Sequence, residues 1–204
     1  MLFSDSYFTI KKAAQGVYKD RGSKFLAFAF PVHSEKEIKE HLLALRKEHP
    51  GANHHCYAWR LGADGLATRA NDDGEPSNSA GKPVLGQLLA KSVTNCLIVV
   101  LRYFGGSLLG VSGLINAYKT AAAEALSNSG IEERFILFEY KIEFSFEDIN
   151  PVMKIIKDTD SKILSQNYTE TNEVIFRIKK ENSNQLEESI KNLYKTKLHY
   201  IKTI

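Results

Sequence analysis

The segment NCLIVVLRYF, residues 95–104, is the most hydrophobic part of the chain and therefore the best starting point for predicting its fold. Its length and its β-branched residues are typical of a buried central strand. GGSLLGVSG (105–113) follows as a glycine-rich connection, and LINAYKTAAAEALSNSG (114–130) predicts a helix. The alanines of this helix allow close packing against a sheet, and Gly130 is suited to end it.

Toward the N-terminus, the chain alternates strand and helix patterns. Ser34 and Glu37 have the spacing of a capping box, in which two side chains satisfy free N–H groups at a helix start. Pro83 suits the first turn of a further helix. The predicted elements are strands at 23–32, 54–62 and 66–71 and helices at about 35–48 and 83–92. The last two strands can pair across the GADG turn.

Residues 134–204 predict a second, smaller unit. The pattern gives a strand at 134–146, a helix at 151–158, a hairpin at 162–180 with its turn near Glu170–Asn172, a helix through Leu186 and a strand at 197–204. This order, β-α-β-β-α-β, is that of a ferredoxin-like unit. We therefore predict an α+β protein of two domains, residues 1–133 and 134–204.

Charge and hydropathy limit the possible partners and location. The chain of 204 residues has a net charge of +3, and residues 1–134 hold all of it, with 16 basic against 13 acidic side chains. This excess permits a phosphate-rich partner. No apolar run approaches the roughly 18 residues that span a bilayer, and no signal peptide is evident, so we expect a cytoplasmic location. Cys56 and Cys96 lie in apolar runs and predict reduced core thiols.

The glycine-rich connection, residues 105–113, allows two interpretations. Backbone N–H groups near Gly105 and Gly106, with the following helix N-terminus, could bind an anion or a phosphate. Alternatively, the glycines serve backbone geometry and close packing. Neither GxGxxG nor GxxxxGK[ST] is present, so a known nucleotide-binding motif does not decide between the two.

A set of basic side chains gives a candidate nucleic-acid or phosphate site. Basic groups neutralise phosphates, and exposed aromatic rings such as Trp59 and Phe104 stack bases. The alternative is scattered surface charge over core aromatics. The candidates are Lys24, Arg60, Arg69, Lys82, Arg102 and Lys119.

The stretch NDDGEPSNSAGKP, residues 71–83, carries three carboxylates. These are Asp72, Asp73 and Glu75. They could pair with Arg102 or Arg60, or they could hold a transient Mg²⁺ ion beside a phosphate. His54 and His55 point to opposite faces of a strand, and no zinc-ligand spacing is present, so no resident metal or cofactor is predicted. No nucleophile motif is present either, and no catalytic residue is predicted.

Three blocks together resemble the IMPACT/YigZ family: HHCYAWRLG, NDDGEPSNSAGKPVLGQL and VVLRYFGGSLLGVSGLINAY, within residues 54–118. Where the family pattern is GEPSGTAG, this chain has Asn78 and Ser79. Asn tolerates positive φ, so the turn can survive. The resemblance implies an N-terminal domain similar to domain 2 of ribosomal protein S5 and domain IV of elongation factor G. It also implies a ferredoxin-like C-terminal domain.

The resemblance further implies a role near translation. Eukaryotic members of the family regulate translation, and nucleic-acid or ribosome binding is suggested for bacterial members. We therefore expect a cytoplasmic RNA- or ribosome-binding protein without membrane association. Two alternatives stay open. One is a Mg²⁺-dependent enzyme or binder of a phosphorylated small molecule that uses residues 105–113, and the other is a protein-interaction module.

Overall fold

The computed structural model describes residues 5–168, 172–193 and 195–204 and shows an α+β protein. The chain divides into two compact units, each with its own hydrophobic core. The N-terminal unit holds residues 7–134. The C-terminal unit holds residues 135–204 together with Asp5 and Ser6.

The N-terminal unit is built on a five-stranded sheet with strand order β2-β3-β6-β4-β5, in which all neighbours are antiparallel. A separate two-stranded sheet pairs β1 with β7. The elements are β1 (Ser6–Ile10), β2 (Ala14–Asp20), β3 (Ser23–Pro31), α1 (Glu35–Glu48), β4 (His54–Leu61), β5 (Ala67–Asn71), α2 (Gly81–Ala90), β6 (Cys96–Tyr103), α3 (Gly110–Ser129) and β7 (Ile131–Phe135).

The five-stranded sheet has a core on each face, and β6 lies between them. Ile98 and Val100 of β6 face the core that includes residues of α2 and α3, whereas Leu97 and Val99 face the core that includes residues of α1. All four side chains are fully buried. Full burial of one such side chain is worth about 1.5–3 kcal/mol. The predicted central strand therefore contributes to both cores at once.

The C-terminal unit is a four-stranded antiparallel sheet with strand order β11-β8-β10-β9. The side chains of α4 and α5 pack with alternate residues of this sheet, among them Ile142 and Phe176. The opposite residues of β8 and β10 form ion pairs, such as Arg177 with Glu139 at 3.0 Å. The elements are β8 (Leu137–Phe144), α4 (Ile149–Asp158), β9 (Lys162–Tyr168), β10 (Asn172–Lys179), α5 (Ser183–Lys191) and β11 (Lys197–Thr203), with short 3₁₀ turns at Phe146–Asp148 and Lys180–Asn182.

Several element boundaries differ from the sequence prediction. β1 and β2 were not predicted, because their short polar-apolar runs lack a clear period. The predicted strand at 134–146 is two strands, β7 and β8, separated at Ile136. Helix α3 begins at Gly110, so part of the predicted glycine-rich connection is helical. The turn predicted near Glu170–Asn172 falls mainly on residues 169–171, outside the described residues.

Helix α3, with 20 residues, is the longest helix in the described part of the chain. Four of its five alanines pack in the core beneath the sheet, as predicted, and Gly130 follows its last residue with φ of 64°. In the described residues, no helix combines the length and the apolar character needed to cross a bilayer.

Candidate nucleic-acid interface

Asp72 fixes the start of α2. Its Oδ1 accepts hydrogen bonds from the N–H groups of Ala80 (3.0 Å) and Gly81 (2.8 Å), and its Oδ2 accepts one from Asn78 N–H (2.8 Å). Ala80, at the N-cap position, has no side chain that could do this. The Asp72 carboxylate therefore takes the place of a local cap, and α2 begins at Gly81, two residues before the predicted Pro83.

Asp73 ties the acidic stretch to α1 and β4. Arg46 Nη2 donates to its Oδ1 at 2.7 Å, and His55 N–H donates to its Oδ2 at 2.7 Å. Partial burial opposes ionisation, but these two hydrogen bonds outweigh it and hold the pKa of the Asp73 carboxyl below its ordinary value. Asp73 is therefore ionised at neutral pH and contributes to the stability of the N-terminal unit.

We expect Asp73→Asn to lower the free energy of unfolding by about 2 kcal/mol at neutral pH, because two hydrogen bonds lose a charged acceptor. A lowered folded-state pKa means that this stability is present above the unfolded-state value of about 4 and is lost as pH falls through the folded-state pKa. Urea titrations between about pH 2 and pH 7 should therefore show the difference between variant and parent shrinking in acid. A difference that stays constant down to the lowest pH would contradict this assignment.

Glu75 is the centre of a buried polar cluster. Its Oε1 accepts hydrogen bonds from Arg102 Nη1 and from Tyr118 Oη–H, both at 2.8 Å. The side chains of Glu75 and Arg102 are 3% and 7% exposed. Cys56 Sγ–H donates to Tyr118 Oη at 3.3 Å, and burial raises the pKa of the thiol to about 12. Cys56 is thus a protonated core group, and Cys56 and Cys96 are both free and buried, as the sequence predicted.

The three carboxylates therefore hold the protein's own cations and N–H groups. Asp73 binds Arg46, and Glu75 binds Arg102. Arg60, the other arginine considered from the sequence, instead donates to the carbonyl oxygens of Gly65 (3.2 Å) and Val93 (2.9 Å). Across the described ranges, no group of three or more His, Cys, Asp or Glu side chains could hold a metal ion.

The six predicted basic residues do not form one surface. Strand register places Lys24 and Arg69 on the side of the sheet that packs against α1, whereas Arg60 and Arg102 lie on the α2–α3 side. Arg102 is buried against Glu75, so its predicted role as a phosphate contact needs correction. Lys82 and Lys119 are exposed on α2 and α3. Alternation along each strand separates side chains that the linear sequence groups together.

The tip of the β2–β3 hairpin carries a basic cluster that the sequence analysis missed. Lys19 and Lys24 are directly opposite each other, and Arg21 lies in the turn between them with φ of 43°. All three are exposed, and none forms an ion pair within residues 5–168, 172–193 and 195–204. The signal was the stretch YKDRGSKF (18–25), in which a turn pattern brings three basic residues together. We call residues 19–24 the hairpin tip.

Residues 104–109 between β6 and α3 pack directly on the hairpin tip, and we call them the glycine loop. Gly105 N–H donates to Ser23 Oγ at 3.1 Å. A Cβ atom on Gly105 would lie 1.9 Å from the carbonyl carbon of Gly22, so only glycine fits this contact. Gly105 thus serves close packing, and its N–H is not free for an anion. Gly106 has φ of 86° and faces open space.

The glycine loop also exposes large apolar side chains. Phe104 is 47% exposed and Leu108 is 83% exposed. The guanidinium carbon of Arg102 lies 5.5 Å from the Phe104 ring centroid, so this ring packs against the buried polar cluster of Glu75 and Arg102. Helix α3 then begins without a side-chain cap and without an acidic residue in its first turn. Its N-terminal N–H groups add a partial positive charge next to the loop.

Together these features define an α+β protein whose N-terminal unit presents a basic hairpin beside a glycine loop with exposed apolar residues. The family model described as the Impact N-terminal domain matches residues 21–126, which include the glycine loop and residues 21–24 of the hairpin tip. The chain belongs to the IMPACT family. The resemblance found in the three sequence blocks is thereby confirmed.

Relatives in bacteria match over much of their length. "IMPACT family member YigZ" of Escherichia coli is 34% identical over 148 residues, which are 72% of this chain and 72% of the relative. "IMPACT family member YvyE" of Bacillus subtilis is 39% identical over 132 residues, which are 65% of this chain and 61% of the relative. The family extends to "Protein IMPACT" of Homo sapiens.

One solved structure is similar over almost the whole chain. It is described as the crystal structure of a hypothetical protein, and it is 27% identical with a TM-score of 0.74, covering 98% of this chain and 99% of that one. The similarity therefore includes both units and is not limited to the residues of the family model.

Proposed function

We propose that this protein binds RNA, free or on the ribosome, in the cytoplasm, and that it acts there in the regulation of translation. The carrying observation is the pair Lys19 and Lys24, which are directly opposite on neighbouring strands and have no acidic partner in the described part of the chain. Like charges in such positions repel each other. A polyanion bound here would offset this repulsion, because each lysine ammonium group would then interact with a phosphate.

Three further features support an RNA-binding surface. Arg21 adds a third basic side chain to the hairpin tip, which has a net charge of +2 when Asp20 is counted, and the N-terminus of α3 adds a partial positive charge. The glycine loop packs against the tip through Gly105, so its exposed apolar residues lie at the same end of the sheet as the basic ones. The family supports a role near translation, because it includes the eukaryotic proteins named IMPACT.

We also infer the fold assignments that accompany this function. In the C-terminal unit, the element order β-α-β-β-α-β and the sheet order β11-β8-β10-β9 support a ferredoxin-like domain. In the N-terminal unit, a sheet with helices on both faces supports the expected similarity to domain 2 of ribosomal protein S5. Fold alone does not assign the partner, so the hairpin tip carries the proposal.

The test is a binding titration with a structured RNA and with purified ribosomes at several salt concentrations. The parent protein should bind with an association constant whose logarithm falls linearly with the logarithm of salt concentration. Lys19→Glu/Lys24→Glu should weaken binding roughly tenfold or more and should reduce the salt slope by about 2, because two phosphate contacts are lost.

The matched control is Lys36→Glu/Lys39→Glu, which makes the same change of charge in the first turns of α1. Strand β3 runs from the hairpin tip to Pro31, so α1 begins at the opposite end of the sheet. The control variant should bind nearly as the parent does. Equal loss in both variants, or no salt-dependent binding to either RNA or ribosomes, would overturn the proposal. Capture of a protein after nuclease treatment, or binding of a nucleotide with Mg²⁺ but not of RNA, would favour the two alternatives.

A further inference from the structure

The exposed ring of Phe104 indicates which form of RNA the surface takes. Phe104 and Phe8 are similarly exposed, at 47% and 44%, but only Phe104 lies beside the hairpin tip in the described structure. Its neighbour Tyr103 is directly opposite Lys24, and its other neighbour, Gly105, packs on Gly22 and Ser23. The Phe104 ring lies beside Arg102 on the α2–α3 side of the sheet, whereas Lys19 and Lys24 lie on its α1 side, so the ring and the two lysines flank the same end of the sheet.

The position of the Phe104 ring is fixed from two directions. Phe104 N–H donates to Asn53 Oδ1 at 3.0 Å, which holds the backbone. The buried Arg102 guanidinium lies 5.5 Å from the ring centroid, and Glu75 in turn holds Arg102. An arginine near an aromatic ring interacts favourably with its π-system. The ring therefore needs little further ordering when a ligand arrives, which lowers the cost of binding.

Resting on the proposed function, we infer that the RNA is unpaired where it meets this end of the sheet, with one base stacked on Phe104 and other phosphates of the same strand at Lys19, Arg21 and Lys24, which the strand reaches by passing over the hairpin tip. In an A-form duplex the bases are stacked on one another, and their faces are not accessible to a side chain. Single strands and loops offer both a free base face and a backbone charge, and these match the two kinds of group present.

Exposed aliphatic side chains continue the surface along α3. Leu108 is 83% exposed, and Val111 and Ile115, one helical turn apart, are 54% and 39% exposed. Contiguous apolar side chains beside a charged region are typical of interaction sites. A splayed single strand, whose bases are apolar on their faces, could extend from Phe104 over these residues, whereas a duplex presents only its charged backbone there.

The test compares a single-stranded RNA with a duplex of the same sequence, at one salt concentration, with 2-aminopurine placed within the strand. The parent protein should bind the single strand roughly tenfold or more tightly than the duplex and should quench the fluorescent base. Phe104→Ala should weaken single-strand binding by roughly tenfold or more and abolish the quenching, with duplex binding and salt slope unchanged. Phe104→Tyr should keep both signals.

Phe8→Ala is the matched control, because it removes a similarly exposed phenylalanine from the same unit. Equal affinity for single strand and duplex, or quenching that survives Phe104→Ala, would overturn this inference. In that case a loss of binding in Lys19→Glu/Lys24→Glu would leave the proposed function standing. Absence of binding to RNA of any form and to ribosomes would overturn both.

Discussion

Replacing Glu75 with Gln should lower the free energy of unfolding by about 3–5 kcal/mol, the loss typical of a broken buried ion pair. Arg102 would remain buried with a 7% exposed side chain and no countercharge. Its Nε already has no hydrogen-bond partner among the described residues, so the Glu75 carboxylate is its principal compensation. Tyr118 Oη–H would also lose a charged acceptor. This is the largest single-residue effect that we expect in the N-terminal unit.

Urea denaturation followed by circular dichroism would measure the change. Glu40→Gln is the matched control, because Glu40 is 62% exposed and lies 4.0 Å from Lys36, where an ion pair contributes about 0–1 kcal/mol. The double variant Glu75→Gln/Arg102→Met should recover part of the loss, since it removes the uncompensated charge. If Glu75→Gln proved as mild as Glu40→Gln, Arg102 would have another counterion or access to water.

The second large effect is expected from Gly105→Ala. The new Cβ would lie 1.9 Å from the carbonyl carbon of Gly22 and 2.2 Å from the N atom of Ser23. Both atoms belong to the backbone of a tight turn and cannot rotate away. The glycine loop must therefore separate from the hairpin tip, at a cost of about 3 kcal/mol, the upper end of the usual range for overpacking.

Gly86→Ala provides the control for this substitution. Gly86 lies within α2, and a Cβ there would meet nothing within 4 Å. The added methyl group should stabilise the helix by about 0.5–1 kcal/mol. The melting temperature should therefore fall in the Gly105→Ala variant and rise in the Gly86→Ala variant. A Gly105→Ala variant with the parent's stability would mean that the loop does not pack on the hairpin tip as described.

Gly105→Ala also tests the proposed RNA-binding surface, because it changes no charge. If the loop and hairpin tip act together, RNA affinity should fall in this variant even under conditions where it remains folded. Retained quenching of a 2-aminopurine base in the Gly105→Ala variant would show that Phe104 acts without the loop packing.

Local patterns were sufficient for several elements. The Ser34–Glu37 capping box starts α1 as predicted, with Glu37 N–H donating to Ser34 Oγ and His33 N–H donating to the Glu37 carboxylate. The same stretch predicted the correct span for α1, residues 35–48. Such predictions succeed because the groups that interact are three or four residues apart, and their geometry follows from the helix itself.

Predictions that required long-range pairing were less complete. The three carboxylates were expected to hold an arginine or Mg²⁺, but Arg46, the partner of Asp73, was not considered, because it lies 27 residues earlier in the chain, on α1. The basic cluster at the hairpin tip was missed, because β2 was not recognised as a strand. Without that strand, nothing in the sequence places Lys19 opposite Lys24.

The family, the α+β class, the buried central strand and the elements with a clear hydrophobic period could all be predicted from the amino-acid sequence alone. The three-dimensional arrangement was needed to establish which charged side chains pair within the protein and which are exposed without an ion pair among the described residues. This is because sheet order and register assign each side chain to one face and one neighbour, often many residues away. Arg102 thus became a buried support for Phe104, and Lys24 became part of an exposed basic surface.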